Sequence, residues 1–268
     1  MSGDDRWSLQ DLDQVVAWCR QRNAQGIRCT VSPLAEYAEN AVQVDSAVEE
    51  NILCIRTLAR QALSASVSVK PTSLGILFDR AEYFRNLTIL FHEAGELKVK
   101  IEIDMEGRDY VEDTLQSARV MAEEHQEVTL ALQAYLYRTS SDCDLCTSSG
   151  IRIRLVKGTY QGDIMDFTAI QERLKSLIGH VAGNGRELCV GTHDPEIIAW
   201  IQTGNTIKKE QVELGFLKGL SDSAKLRLAS SGWKVSEYVP YGTGGEAYKA
   251  RRENYLFQLE MAGRHPAP

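Results

Sequence analysis

The chain has 268 residues, of which 43% are hydrophobic and 25% charged, and its formal net charge at pH 7 is -7. This length and apolar content can bury one large core, so we expect a single domain over 1–268. The acidic balance argues against an extended nucleic-acid interface, and no apolar run approaches the roughly 20 residues of a membrane span. The polar N-terminus is not a secretory signal, and the six cysteines suit a reduced, cytoplasmic setting better than a disulfide scaffold.

The first predicted element is an amphipathic helix over 8–26, with Ser8 as its candidate N-cap. Eight strand-like segments follow, over 27–34, 66–75, 98–107, 128–136, 150–158, 187–194, 211–219 and 234–242. Helical periodicity follows most of them, although the candidate helix around 140–146 is short and weak. About eight β-then-α units predict an α/β fold, a (β/α)8 TIM-type barrel with an extra N-terminal helix. An open doubly wound sheet is the rival, but no GxGxxG follows the first strand.

Polar and ionisable side chains recur where the predicted strands end. They are Lys70, Asp104, Glu106, Gln133, Tyr135, Arg154, Lys157, Tyr160, His193, Glu213 and Tyr238. A barrel builds its site at the carboxyl ends of its strands. Any one of these residues is compatible with a structural role, but together they predict a site for an anionic ligand.

The segment PYGTGGEAYKARRE, over 240–253, places a glycine-rich turn before a helix that carries Arg251 and Arg252. The turn and the helix start are suited to hold an anion through backbone N–H groups. The arginines are equally compatible with a solvated helix face. Next to the polar strand ends, the arginines add positive charge and favour the anionic ligand.

Cys143 and Cys146 form a single CxxC pair. A structural zinc needs about four ligands, and no second pair lies at a suitable spacing. We therefore predict no metal site.

Seven segments together resemble the FAD-dependent proline dehydrogenases (proline oxidases), in order from about residue 26 to 255. SVSVKPTSLG resembles the family's strand-two lysine motif, and IEIDMEG its strand-three aspartate motif. LALQAYLYR, IRLVKGTY, GTHD, EYVPYG and KARR are similar to its later motifs. The resemblance implies the barrel fold, with the last helix placed over the active site.

The resemblance also implies roles for individual residues. Arg251 and Arg252 would bind the carboxylate of proline, with Lys70 beside it. The ring would be lined by Asp104, Tyr160, Leu217 and Tyr238. Glu36 would pair with Arg251 and close the site, although it is also compatible with an exposed helix start. The residues implied to hold FAD are Gln133, Arg154, Lys157, Gly158, Thr192, His193 and Glu213.

The activity that the resemblance implies is oxidation of L-proline to Δ1-pyrroline-5-carboxylate, with hydride transfer from substrate C5 to FAD N5. Members of the family usually pass the electrons to a membrane quinone. The expected partners are therefore a small cyclic amino acid and a quinone, with at most peripheral contact at the inner membrane face.

Four positions depart from the family's usual pattern. Tyr255 stands where the family has a glutamate, Gly215 replaces a glutamine, Ser32 replaces an aspartate and Gln161 follows the signature tyrosine. They leave open a relative that oxidises a proline analogue, a carrier-bound prolyl group or another cyclic amine. Two alternatives of other classes are a flavin-free lyase or aldolase with a Schiff-base lysine, Lys70 or Lys157, and a non-catalytic binding protein.

Overall fold

Eight parallel strands form a closed barrel in the computed structural model, which describes residues 6–124, 126–204, 207–243 and 245–266. Each strand pairs with the next along the chain, and β8 pairs with β1. The strands are β1 (Ile27–Pro33), β2 (Ala65–Val69), β3 (Lys100–Ile103), β4 (Val128–Gln133), β5 (Arg152–Val156), β6 (Leu188–Gly191), β7 (Val212–Leu217) and β8 (Lys234–Tyr241).

A helix precedes the first strand, and one α-helix follows each strand. They are α1 (Leu12–Ala24), α2 (Ala41–Arg60), α3 (Arg80–Leu97), α4 (Val111–Glu123), α5 (Thr139–Ser148), α6 (Phe167–Gly183), α7 (Pro195–Thr203), α8 (Asp222–Ser230) and α9 (Glu246–Met261). The predicted (β/α)8 barrel with an extra N-terminal helix is confirmed.

Burial patterns explain why these segments form these elements. Every residue of β4 is buried, as expected for a parallel strand covered on both faces. In α2 the buried positions Val44, Ala47, Asn51 and Leu58 recur at helical spacing, so one stripe faces the barrel. The core therefore lies between the barrel wall and the ring of helices.

Two boundaries differ from the sequence expectation. The predicted N-cap Ser8 is wrong, because α1 starts at Leu12 and the Asp11 side chain accepts a hydrogen bond from the Gln14 N–H. The helix expected to begin near Glu36 starts instead at Ala41, after an Asn40 cap. Glu36 therefore lies in the β1–α2 loop, from which its side chain reaches the mouth of the barrel.

Cys143 and Cys146 are free and buried on α5. Within the described ranges there is no group of three or more His, Cys, Asp or Glu side chains arranged to hold a metal ion. Over the same ranges, no helix is long and apolar enough to cross a membrane.

Candidate active site

A cavity opens at the carboxyl ends of the strands, under the last helix. Its empty volume is about 1020 Å³, including solvent at the mouth. The predicted site residues that line it are Lys70, Asp104, Gln133, Arg154, Lys157, Gly158, Tyr160, His193, Leu217, Tyr238, Arg251 and Arg252. Three predicted residues, Glu36, Thr192 and Glu213, do not line it.

One wall of the cavity is a compact polar cluster. The Lys70 ammonium donates to Asp104 Oδ2 at 2.6 Å and to the Tyr238 hydroxyl at 3.1 Å, and that hydroxyl donates to Asp104 Oδ2 at 2.7 Å. The Arg154 guanidinium also binds Asp104. Burial opposes ionisation of Asp104, but Lys70 and Arg154 outweigh it and hold the pKa of the carboxyl well below its usual range. Asp104 is therefore a fixed anion rather than a base.

The two arginines of α9 differ in their surroundings. Arg251 donates to both carboxylate oxygens of Glu36, at 2.5 and 2.6 Å, and its guanidinium lies 5.0 Å from the centroid of the Tyr160 ring. Glu36 also lies 3.7 Å from Lys70 Nζ. The ion pair of Arg251 with Glu36 therefore joins α9 to the β1–α2 loop across the cavity mouth.

Arg252 has no such partner. In the part of the chain that the structure describes, it makes no hydrogen bond or ion pair, and its Nε is buried without an acceptor. Its guanidinium packs on the Tyr248 ring at 4.7 Å from the centroid, and Tyr248 stacks on Tyr238. The cavity thus contains an arginine whose charge is available to an anion.

Gly158 follows β5 and has a φ of +112°, a backbone angle that residues other than glycine rarely adopt. A Cβ on Gly158 would lie 1.9 Å from Tyr135 Cε1, and one on Gly162 would lie 2.2 Å from Tyr135 Cδ2. The Tyr135 hydroxyl accepts the Tyr160 N–H at 3.1 Å. The loop after β5 therefore wraps one tyrosine ring, which fixes the edge of the cavity.

His193 lies just after β6, and its Nε2 accepts the Leu217 N–H at 2.9 Å. Burial, with Lys225 and Arg252 nearby, lowers the pKa of His193 to about 3. The imidazole is therefore neutral, and Nδ1 carries its proton. Lys225 donates to the Leu217 carbonyl at 2.9 Å, so both backbone polar groups of Leu217 are held by buried side chains.

Lys157 lies between the cavity and α9. Its ammonium donates to Gln258 Oε1 at 2.5 Å and packs 5.2 Å from the centroid of the Tyr255 ring. Burial and the Arg252 charge lower the pKa of Lys157 to about 8. It is mainly a cation at pH 7 and titrates just above that pH.

The sequence profile described as Proline dehydrogenase matches residues 15–178, which is more than half of the chain. Proline dehydrogenase 2 of Bacillus subtilis (strain 168) is 31% identical over 249 residues, covering 90% of this chain and 82% of that protein. This chain belongs to the proline dehydrogenase family. Proline dehydrogenase 1 of the same strain is 29% identical over 248 residues, again covering 90% of this chain and 82% of the relative.

The fold of a proline dehydrogenase is also found among solved structures. Proline utilization A (PutA) from Bdellovibrio bacteriovorus, described as inactivated by N-propargylglycine, superposes with a TM-score of 0.84 at 19% identity. The superposition covers 96% of this chain and 32% of PutA, so the chain spans about a third of that protein's length.

Two departures from the proline dehydrogenase pattern have a clear structural consequence. The Tyr255 hydroxyl accepts the His193 N–H at 3.3 Å, so Tyr255 ties α9 to the end of β6. A Cβ on Gly215 would lie 3.1 Å from Cys189 Sγ and 3.6 Å from Ser236 Oγ. Because neighbouring side chains already approach this position, Gly215 adds only limited room at the cavity floor.

The expected position of Glu213 at the carboxyl end of β7 is wrong. Glu213 is the second residue of that strand, and it pairs with Arg28 at 2.8 Å and Arg152 at 3.1 Å inside the barrel. Those two cations overcome the effect of burial and lower the pKa of Glu213 to about 2. Thr192 is buried beside the site, where its hydroxyl accepts the Asp194 N–H at 3.1 Å.

Sequence reasoning missed two contributors to this proline dehydrogenase site. Tyr248 lines the cavity between Arg252 and Tyr238. Its position one turn before Arg252 on the last predicted helix was a usable signal. Glu102 lies beneath the cavity and contacts Arg154 at 3.5 Å. Its spacing of two from Asp104, in the segment predicted as one strand over 98–107, indicated that both side chains point to the same side.

Proposed function

We propose that this chain oxidises L-proline to Δ1-pyrroline-5-carboxylate, with FAD as the hydride acceptor. Membership of the family supports the activity. The structural observation that carries the proposal is Arg252, which has no ion-pair partner among the described residues and faces the same cavity as the Lys70–Asp104–Tyr238 cluster. A cation beside a polar wall suits an amino acid whose carboxylate must be held while its ring reacts.

The cavity suits the chemistry of FAD. Gln133 Oε1 and Arg154 Nε are buried with no hydrogen-bond partner in the described part of the chain, and Arg154 and Lys157 supply positive charge. Gly158 lines the cavity, and its missing side chain makes room for the Tyr135 ring at the cavity edge. Of the seven residues assigned by resemblance, Gln133, Arg154, Lys157, Gly158 and His193 line the cavity and would hold the cofactor. When bound, FAD supplies the hydride acceptor.

The chain's own residues bind and orient the substrate. Arg252 and Arg251 hold the carboxylate, with Lys70 beside it, while Tyr160, Leu217 and Tyr238 line the ring's position together with Asp104. Positive charge from Arg252 and Lys70 disfavours an ammonium, so the substrate amine is bound unprotonated. Arg251 binds the entering carboxylate either beside Glu36 or in place of it. The ion pair of Arg251 with Glu36 closes the cavity mouth.

The first test is the colour of the purified protein. A bound flavin absorbs in a visible band at about 450 nm that bleaches when the cofactor is reduced. Bleaching by L-proline without added acceptor supports the proposal. Absence of the band, together with a lysine adduct trapped by borohydride, would support the Schiff-base alternative instead. Lys70 is a poor candidate for that chemistry, because Asp104 outweighs burial and raises the pKa of Lys70 well above normal.

The pKa of Lys157 leads to a pH prediction. At pH 7 the lysine is mainly cationic, and it becomes neutral as the pH rises through about 8. A bound anion stabilises the cation, so FAD affinity should fall between pH 7 and pH 9. Lys157→Met should weaken FAD binding at pH 7 by about tenfold and flatten this profile, since one charge contact is lost. Isothermal titration of apoprotein with FAD measures the affinity at pH 7 and its change with pH. Equal pH profiles for variant and parent would contradict the assignment of Lys157 to the cofactor.

Tyr238 leads to a specificity prediction. The resemblance places this phenol at the C4 side of proline, where overpacking by a hydroxyl costs roughly 1–3 kcal/mol. The parent should therefore prefer proline over trans-4-hydroxyproline by about tenfold or more in kcat/KM. Tyr238→Ser should narrow that ratio.

Parallel assays of proline, trans-4-hydroxyproline and pipecolate with an artificial electron acceptor measure these preferences. Equal turnover of the first two by the parent would remove the steric role of Tyr238. Turnover of none of the three would favour the relative that acts on a proline analogue, a carrier-bound prolyl group or another cyclic amine.

The proposal extends to the electron acceptor, a membrane quinone reached by peripheral contact of a cytoplasmic protein at the inner membrane face. It rests on the resemblance to the family. Oxidation of proline coupled to a short-chain ubiquinone, compared with oxygen as acceptor, tests it.

A further inference from the structure

Beneath the cavity, the barrel interior contains a continuous chain of ion pairs. Barrel interiors are usually filled by branched apolar side chains. Here the interior charge chain runs from the amino ends of the strands to the cavity, and its members in order are Arg152, Glu213, Arg28, Glu102, Arg154, Asp104 and Lys70. Each member lies within ion-pair distance of the next.

Glu102 is the central member of the interior charge chain. Its Oε1 accepts from the Thr30 hydroxyl at 2.9 Å and from Arg28 at 3.2 Å, while its Oε2 lies 3.5 Å from Arg154 Nη1. The Ser66 hydroxyl donates to the same carboxylate at 2.5 Å. Glu102 therefore has four polar partners. It links the members of the interior charge chain nearest the amino ends of the strands to Arg154, which lines the cavity.

The charge of Glu102 is permanent over the working pH range. Burial by itself would favour the neutral acid, but Arg154 and Arg28 outweigh burial and lower the pKa of Glu102. The interior charge chain contains four cations and three anions, so its net charge is positive. The Glu102 carboxylate reduces this net positive charge beneath the cavity. Removal of its charge changes the electrostatics of the site without changing any residue that lines the cavity.

Stabilisation of the fold is a weak explanation for so many charged side chains inside the barrel. Buried ion pairs often contribute no more than well-packed apolar side chains of similar volume, because desolvation offsets their attraction. Across the described ranges, Arg154 pairs with two carboxylates, those of Asp104 and Glu102. Asp104 also accepts hydrogen bonds from Lys70 and Tyr238 at the cavity wall. Glu102 is therefore the partner that holds Arg154 from the side away from the cavity.

We propose that Glu102 is a positioning residue that fixes Arg154 at the cavity and, through its charge, sets the reduction potential of the cofactor that the cavity would hold. This inference rests on the proposed function, since it needs FAD in the cavity. A positive site stabilises the anionic reduced flavin, and an anion below it does the opposite. Loss of the Glu102 charge is therefore expected to raise the potential.

The experiment is a spectroscopic redox titration of the flavin-loaded protein. Glu102→Gln keeps the shape of the side chain and removes its charge. We expect at least a tenfold shift in the equilibrium with the redox dye, which is about 30 mV upward for a two-electron couple. Glu213→Gln removes a carboxylate that does not contact Arg154, and should shift the potential in the same direction by less. Glu50→Gln is the matched control, because Glu50 binds the Tyr241 hydroxyl outside the interior charge chain.

Two further variants separate charge from disruption. Arg28→Met removes a cation and should lower the potential, which gives a test of opposite sign if the Gln variant does not fold. Combining Arg28→Met with Glu102→Gln restores the charge balance and should return the potential toward the parent value. A Glu102→Gln potential equal to that of Glu50→Gln would overturn this inference and leave the proposed function intact. A parent protein that binds no flavin would overturn both.

Discussion

Arg252→Met should lower kcat/KM for proline by about 30- to 1,000-fold while FAD stays bound. A charge-assisted hydrogen bond in a partly desolvated site is worth roughly 2–4 kcal/mol, which corresponds to that range. Arg252 has no hydrogen-bond or ion-pair partner among the described residues, so the variant loses a ligand contact and changes only the packing on Tyr248 inside the protein. Steady-state kinetics and the flavin content of the purified variant measure the two quantities.

Arg251→Met is the natural comparison. Arg251 is paired with Glu36, so its loss also leaves that carboxylate without its partner in the loop. We expect a similar fall in kcat/KM for this variant, accompanied by a lower melting temperature that Arg252→Met does not share. Unchanged kinetics in both variants would show that the arginine pair is only a solvated helix face.

Asp104→Asn should lower the free energy of unfolding by about 3 kcal/mol at pH 7, because removing one member of a buried pair strands the others. Lys70 and Arg154 would both lose their shared carboxylate. The pKa of Asp104 is depressed in the folded protein, so its contribution is present above the unfolded value of about 4 and fades as the pH falls below it. Urea unfolding of variant and parent at pH 7 and at pH 3, which is below the unfolded value, measures this difference.

Asp113→Asn is a matched control on the surface. Asp113 binds Arg80 at 2.8 Å, but the Arg80 side chain is 74% exposed. An exposed pair of this kind contributes about 0–1 kcal/mol. If Asp104→Asn lowers the free energy of unfolding by no more than Asp113→Asn does, the Asp104 carboxylate does not stabilise Lys70 and Arg154 at the cavity wall.

The barrel was predictable because its strands and helices alternate with clear periodicity, and the carboxyl strand ends then indicated most of the site. Lys70 and His193 lie just beyond their strands, as the expectation required. The position of Glu213 was wrong because this residue lies near the amino end of the predicted strand over 211–219, as it does in β7, and not at the carboxyl end. The register that places Glu213 opposite Cys189 is set by pairing with β6, which is a tertiary contact.

The unequal environments of Arg251 and Arg252 could not be read from the sequence. Two adjacent arginines on a helix point about 100° apart, so neighbours from distant segments decide which is paired. Glu36 comes from a loop more than 200 residues earlier in the chain. The interior charges were easier to predict from the sequence, because Glu102 in β3 and Asp104 just after it are two residues apart and so point to the same side of an extended segment.

The loop that wraps Tyr135 has a consequence for how this sequence can diverge. A methyl group at Gly162 collides with the ring of Tyr135, so alanine at 162 is tolerated only after position 135 has become smaller. The reverse order first leaves a void under the loop and costs packing. Each single step is harmful and the pair is tolerated, which is sign epistasis between two positions 27 residues apart. Across homologues we therefore expect glycine at 162 to accompany an aromatic residue at 135, and the two to change together.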